Sequence, residues 1–334
     1  MDSDVLVIGG EDVERLLPMH ACIDVMAQAL TALATSQAEV PLRTLLWLPE
    51  RRGLLGMMPA YYAPAGVMGI KVVSVMPGNH GTRYDAHQGA VLLFETAHGC
   101  PLGLVDASAI TAIRTAAVSA VATRLLARDD AHDLAILGSG IQATTHLESM
   151  LCVRPIDRVR VWSRTPAHAE RFARRESERR GLVVSVAESA ESAISNADLI
   201  CTTTSAKEPV LLGRWLAAGT HVNAVGSSVR TARELDAAAV ARARLFVDRR
   251  ESTLNEAGDF LLAKVEGAVT DDHILCEIGE ILAGRATGRS SASEITLFES
   301  LGLGVEDVAA AHYVLERARA ERKGTPVRLG ASRA

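Results

Sequence analysis

Between residues 133 and 248, short aliphatic and β-branched runs alternate with longer amphipathic stretches, the pattern of repeated β-α units. The spacing predicts strands at 133–137, 158–162, 183–186, 198–202, 220–225 and 243–248, with helices between them, including 141–152 and 166–179. Pro166 falls in the first turn of the latter helix, where a missing N–H costs nothing. This central third reads as one doubly wound nucleotide-binding domain. Residues 1–106 follow another pattern: two helices, 10–17 and 19–37, then β-prone runs at 44–48, 53–58, 66–75 and 90–94. Gly, Pro and Asn turns join these runs, which predicts a mainly antiparallel sheet. An Ala-rich stretch, 107–127, has the composition of a helix leading into the second domain. A last amphipathic helix, 305–322, stops at Lys323-Gly324-Thr325-Pro326 and is predicted to return to the first domain. Its apolar spacing is that of core or subunit packing.

Composition narrows the function classes. Of 334 residues, 48% are apolar and 22% charged, enough to bury a large core and too apolar for disorder. The net charge of -5 leaves no basic excess to neutralise a phosphate backbone, so nucleic acid is not an expected partner. Cys22, Cys100, Cys152, Cys201 and Cys276 lie far apart without a C-x-x-C pair and read as reduced thiols of a cytoplasmic protein. The first residues lack a basic segment and a long apolar run, so no signal peptide is expected. No apolar run is read as reaching the roughly 20 residues that cross a bilayer, and no membrane partner is expected. The histidines show no H-E-x-x-H and no ligand-spaced cluster, so no metal is expected.

The sharpest local signal is Leu137-Gly138-Ser139-Gly140-Ile141-Gln142-Ala143, directly after a strand and opening a helix. Gly138 permits a tight turn, Gly140 lets backbone N–H groups approach a pyrophosphate, and Ala143 allows close helix–strand packing. A glycine turn of this kind also occurs without a nucleotide; the surrounding β-α alternation favours dinucleotide binding. The next strand ends in Ser163-Arg164-Thr165, with no acid to hold a ribose 2′-hydroxyl. A cation flanked by hydroxyls favours NADP over NAD there, the alternative being a solvated Arg at the start of a helix. Thr202 to Ser205 follow the fourth strand, at the sheet end where ligands bind in this topology.

A second constellation lies outside this domain. It comprises Arg43, Lys71 and Arg114, and the apolar neighbours of Lys71 and Arg114 predict burial of both. Each is open to pairing with an acid; together they suggest a carboxylate site, with Arg supplying a planar fork and Lys a point charge. His87 and Gln88 precede a strand and suit either a ligand contact or a plain turn.

The ordered motifs VPLRT, GMMPAYY, GIKVVSVMPGN, DAHQGAVLLFE, LVDASAITAIRTAAVSA, LGSGIQA, VWSRT, NAVGSSVRTARELD and SLGLGVEDVAAA, spanning Arg43 to Ala311, resemble the ornithine cyclodeaminase/mu-crystallin family. The resemblance implies an α/β fold, a Rossmann-type doubly wound domain at 118–303 plus a discontinuous α+β substrate and dimerisation domain at 1–117 and 304–334. It implies a homodimer, with Arg43, Lys71 and Arg114 holding a substrate carboxylate. Gly138, Gly140, Ile141, Gln142 and Ala143 would line the pyrophosphate, and Ser163, Arg164 and Thr165 the adenosine phosphate. Ala86, His87, Arg114, Thr115, Thr204, Val225 and Leu303 would border the cofactor. Family members of the mu-crystallin type carry a comparable Asn/Ser-Arg-Thr and use NADPH, the cofactor expected here.

One departure separates the branches of this family. Cyclodeaminases carry an Asp where this chain has Ser228, and a Glu in the segment matching Gly56 to Pro59, at the position of Gly56. Without both acids the pattern is closer to the ketimine reductases. The resemblance thus implies NADPH-dependent reduction of a small carboxylate-bearing imine, such as Δ1-pyrroline-2-carboxylate or Δ1-piperideine-2-carboxylate. Lys71 is the expected proton donor and Ser228 the expected partner of the imine nitrogen. Amino-acid deamination of the ornithine cyclodeaminase or alanine dehydrogenase type is the alternative, and a non-catalytic NADPH- and ligand-binding protein the more distant one.

Overall fold

The computed structural model describes residues 4–79 and 82–329. The first three and last five residues, assigned by sequence to the first domain, lie outside the described residues. The chain forms β1 (Asp4–Ile8), α1 (Gly10–Leu16), α2 (Met19–Ala34), β2 (Ala38–Glu39), β3 (Thr44–Trp47), β4 (Leu54–Tyr62), β5 (Val67–Val75), β6 (His87–Glu95), β7 (Pro101–Asp106) and α3 (Ala107–Leu126). It continues through β8 (Asp133–Leu137), α4 (Ile141–Val153), β9 (Arg158–Trp162), α5 (Pro166–Arg180), β10 (Val184–Val186), α6 (Ala190–Ile194), β11 (Leu199–Thr202) and β12 (His221–Ala224). Then come α7 (Ala237–Arg242), β13 (Arg244–Val247), α8 (Arg250–Glu256), α9 (Gly258–Val265), β14 (Ile274–Glu277), α10 (Ile278–Leu282), β15 (Thr296–Glu299), α11 (Gly304–Glu321) and β16 (Thr325–Arg328). Two compact units result, Met1–Arg114 with Gly302–Ala334, and Thr115–Leu301.

The first unit is built on a sheet ordered β16-β1-β7-β6-β5-β4-β2, with β3 also paired to β4. All its pairs are antiparallel except β1 with β7. The two faces follow the period-2 alternation of each strand. On β5, Val67, Gly69 and Lys71 are buried while Met68 is exposed. α11 packs along the buried face, and glycines on the strands make that approach possible. A Cβ on Gly69 would lie 3.1 Å from Val308 Cγ2, and one on Gly103 would lie 2.9 Å from Leu315 Cδ1. The opposite face leaves Tyr61, Met68 and Leu104 exposed, and β3 leaves Leu45, Leu46 and Trp47 exposed. On that face Glu39, Pro41, Tyr61, Met68, Ile70 and Phe94 line a hollow of about 490 Å³.

The second unit holds a wholly parallel sheet ordered β10-β9-β8-β11-β12-β15-β13-β14. Every residue of β8 and β11 is buried, as expected for strands covered on both faces. Strand order reverses at β8, which lies between β9 and β11, so the crevice at the carboxyl ends of β8 and β11 is the topological switch point.

The structure departs from the sequence reading in six short strands, β1, β2, β7, β14, β15 and β16, and in one helix. β14 and β15 are four-residue runs, too short to show a period, and β15 inserts between β12 and β13. β1 and β7 also form strands where no β-prone run was read. α3 corrects the expectation that no run could cross a bilayer: its 20 residues are long and apolar enough, and 78% of that stretch is buried inside the protein. Its polar groups are satisfied internally, since Ser119 Oγ lies 2.9 Å from His146 Nε2 and Thr123 Oγ1 donates to the Ser119 carbonyl at 2.8 Å.

Candidate active site

In the first unit the pleat of β5 turns Lys71 onto the face covered by α11, and Arg114 reaches the same place from α3; they are 3% and 4% exposed. Burial of charge on this scale requires partners. The first turn of α11 provides them. Asp307 Oδ1 accepts from Arg114 Nε at 2.9 Å, Asp307 Oδ2 lies 2.8 Å from Lys71 Nζ, and Glu306 Oε2 accepts from Arg114 Nη1 at 2.8 Å. Lys71 Nζ also lies 3.4 Å from Thr111 Oγ1. Arg43, half-buried, donates to the Gly302 carbonyl at 3.4 Å. Gly302 lies close under Arg114: a Cβ there would stand 2.5 Å from Arg114 Nη1, and its φ of +79° suits glycine.

Lys71 and Arg114 thus pair with acids, Lys71 with Asp307 and Arg114 with both Asp307 and Glu306, and Arg43 reaches the Gly302 carbonyl beside them. Burial, then the charges of Arg114 and Arg43, outweigh the pull of Asp307 and bring the Lys71 amine down to about 8. Burial alone would raise Asp307, but Arg114 and then Lys71 hold its carboxyl below the usual range. Glu306 and Asp307 escaped the sequence reading because acids in a first helical turn are ordinarily explained by the helix dipole. Their signal was an acidic pair set among the apolar residues of GVEDVAAA.

In the second unit the glycine loop sits at the switch point. Gly138 has φ +123°, and a Cβ on it would lie 2.6 Å from Thr203 Oγ1, so the turn admits only glycine. Its N–H donates to the Trp162 carbonyl at 2.8 Å, tying the β8 end to the β9 end that carries Ser163-Arg164-Thr165. Gly140 has open space where a Cβ would be, and Ile141, at the start of α4, is 65% exposed. An open glycine and an unpacked apolar side chain at a helix N-terminus fit a dinucleotide pyrophosphate. Gln142 is half-buried, and Ala143 is buried against the sheet. Arg164 is exposed and Thr165 caps α5 by backbone position, without a side-chain cap bond.

Thr204 and Val225 follow β11 and β12, half-buried, with the Val225 N–H donating to the Thr202 carbonyl at 3.1 Å. Ser228, also half-buried, lies in the same strand-end loop as Val225. The remaining expected cofactor neighbours are Ala86, whose carbonyl accepts from Met76 N at 2.7 Å, and His87, whose carbonyl accepts from Ser108 Oγ at 2.8 Å. Thr115 and Leu303 are buried. Arg43, Lys71, Arg114, Ala86, His87 and Leu303 thus belong to the first unit, and the other candidates to the second. Among the described residues, no group of three His, Cys, Asp or Glu side chains is arranged to hold a metal ion.

Comparison with known proteins agrees with this geometry. The model of the ornithine cyclodeaminase/mu-crystallin family matches residues 4–322. Ketimine reductase mu-crystallin of Mus musculus is 41% identical over 276 residues, 83% of this chain and 84% of its own. A Delta(1)-pyrroline-2-carboxylate reductase of Bacillus cereus is 37% identical over 315 residues, 94% of this chain and 97% of its own. The solved structure of Thermococcus litoralis Delta(1)-pyrroline-2-carboxylate reductase, in complex with NADH and L-proline, superposes with a TM-score of 0.94 at 38% identity. That match covers 97% of this chain and 100% of the other. An archaeal alanine dehydrogenase dimer with bound NAD superposes at 0.91 with 31% identity, covering 97% of this chain and 99% of the other.

Gly302→Ala places a methyl group against the Arg114 guanidinium. It is expected to weaken binding of small carboxylates about 10–100-fold, the worth of a hydrogen bond to a charged group, in calorimetric titration with the far-UV circular dichroism retained. Unchanged affinity would separate Arg114 from the ligand.

Proposed function

Because the chain belongs to the ornithine cyclodeaminase/mu-crystallin family, we propose that it reduces a small carboxylate-bearing imine, of the Δ1-pyrroline-2-carboxylate or Δ1-piperideine-2-carboxylate type, to the cyclic amino acid. The observation that carries this reading is that Lys71 and Arg114 are buried together in the first unit with Arg43 beside them at Gly302, a grouping of cations suited to a carboxylate. Gly56 stands opposite Val73, two residues along β5 from Lys71 on the same face, and the surroundings of Gly56 are Val73, Leu45 and Leu54. Neither Gly56 nor Ser228 itself carries a carboxylate for the distal ammonium of a diamino acid. This favours an imine over ornithine.

Arg43, Lys71 and Arg114 bind and orient the carboxylate, so the reacting carbon is presented in one pose. The Gly138 to Ala143 loop would hold the dinucleotide, whose chemistry would be that of a hydride donor to the C=N carbon. As the C=N pair moves to nitrogen, that atom takes a proton from Lys71 Nζ, giving the secondary amine. An amine brought down to about 8 still carries its proton at neutral pH and releases it more readily than an ordinary lysine. The Ser228 hydroxyl orients the imine nitrogen. Ser163-Arg164-Thr165, with an exposed guanidinium and no acid, supports NADPH as the preferred donor. The exposed apolar face carrying Tyr61 and Met68 supports a homodimer, for which sedimentation should give twice 35.5 kDa.

Purified protein is expected to oxidise NADPH with pyrroline-2-carboxylate or piperideine-2-carboxylate and to release no ammonia from L-ornithine. Ammonia release would favour the deaminase alternative, and tight binding without turnover the non-catalytic one. Because the protonated amine donates, kcat should be level below pH about 8 and fall above it. Lys71→Met should lower kcat about 10²–10⁴-fold and abolish that alkaline limb; normal turnover would place the proton elsewhere. Arg164→Asp should reduce the NADPH-over-NADH preference in kcat/KM about 10–100-fold, and an unchanged ratio would remove Arg164 from cofactor choice.

A further inference from the structure

The carboxyl ends of β11 and β12 are joined through a buried carboxylate that no part of the reduction described above employs. Glu234, fully buried, accepts from the Thr204 N–H on Oε1 at 2.5 Å and from the Gly226 N–H on Oε2 at 2.6 Å. Thr204 lies in the loop after β11, and Gly226 lies between Val225 and Ser228 in the loop after β12. Gly226 leaves room for this contact, since a Cβ there would stand 2.5 Å from the Glu234 carboxyl carbon.

Glu234 is itself fixed from behind. Asp259, at the start of α9, accepts on Oδ1 from the N–H groups of Glu234 and Leu235, both at 2.8 Å. Its Oδ2 lies 2.5 Å from Ser227 Oγ, which also lies 2.8 Å from Glu299 Oε1 at the end of β15. Ser227 has one hydroxyl hydrogen for two carboxyl oxygens, and two backbone N–H groups already converge on Asp259, which favours its ionised form. Ser227 therefore donates to the Asp259 carboxylate and accepts from Glu299, which carries a proton. Burial, then the charge of Asp259, raises the Glu299 carboxyl, in accord with that assignment. The result is an unbroken chain from β15 through Ser227, Asp259 and Glu234 to the backbone of both loops.

We propose that Glu234 is a positioning residue for hydride transfer: its carboxylate sets the separation of the β11 and β12 loops, and so the placement of Thr204, Val225 and Ser228 around the nicotinamide end of the dinucleotide. This rests on the reductase reading. A carboxylate with one N–H donor on each oxygen is a two-point spacer, and neither an amide nor a shorter acid reproduces it. The Glu234→Gln amide nitrogen would face an N–H donor, and Glu234→Asp, one methylene shorter, cannot reach both.

The test uses full-length enzyme with pyrroline-2-carboxylate and NADPH, and turnover is normalised to NADPH bound, measured by fluorescence titration. Both variants are expected to lose about 10²-fold in kcat per bound dinucleotide, with KM for the imine within twofold of wild type. A merely structural role would lower the bound fraction and leave kcat per bound dinucleotide unchanged, which overturns the proposal. Full rescue by Glu234→Asp also overturns it, because charge would then suffice without the bridge. If Glu234→Gln does not fold, Glu234→Asp alone decides between these outcomes. If wild-type protein reduces no imine, the reductase reading fails and the positioning role in hydride transfer is rejected with it, an outcome distinct from an active wild type whose Glu234 variants turn over normally.

Discussion

The first unit depends on one carboxylate. Asp307 stands between Arg114 and Lys71, so a helix before the β-α region, a strand of the antiparallel sheet and the C-terminal helix are joined at a single buried group. Removing it would take from two buried cations the carboxylate that both of them contact, a loss that burial penalises severely. The constraint also explains why the unit is discontinuous. The cations occur within the first 114 residues and both acids at 306 and 307, so the site closes only when α11 returns to the sheet. Glycines on β5 and β7 allow that return, because larger side chains there would meet Val308 and Leu315.

The second unit solves a different problem, how to expose backbone donors at the edge of a sheet buried on both faces. Strand order reverses at β8, and the loops after β9, β8, β11 and β12 are then linked in sequence. Gly138 bonds to Trp162, Thr203 bonds to Leu137, Val225 bonds to Thr202, and Glu234 ties Thr204 to Gly226. The flexible parts of a nucleotide site are thus held by short bonds to regular structure, which is how a loop keeps the precision that transfer of a hydride demands. The acids behind them are tolerated in the interior because Glu234 and Asp259 are aimed at N–H and O–H donors, and Glu299 holds a proton against Ser227.

Register decides which departures from the family pattern face the cations. The surroundings of Gly56 are apolar at the place where a third acid would stand on the Lys71 face. The same two departures, Gly56 and Ser228, are visible in the sequence, but their meaning depends on register. Gly56 matters because antiparallel pairing sets it opposite Val73 and therefore on the side of Lys71.

The sequence by itself determined the two patterns of secondary structure, the glycine loop, the lack of an acid after β9, and the two cations, Lys71 and Arg114, whose apolar neighbours marked them for burial. These are local properties: they follow from periodicity, from turn chemistry and from the cost of burying charge, and they need no knowledge of distant neighbours. Only the tertiary structure decided which acids meet the cations, since Lys71 and Asp307 are far apart in the chain and nothing local records their 2.8 Å approach. It likewise decided that β15 lies between β12 and β13, because a four-residue strand carries too little pattern to reveal its partners. Glu234 shows the same limit most clearly. In the run RTARELD it reads as an ordinary surface acid; packing of α9 and two strand ends around it turns it into a buried bridge, for burial is a property of the surroundings and not of the residue.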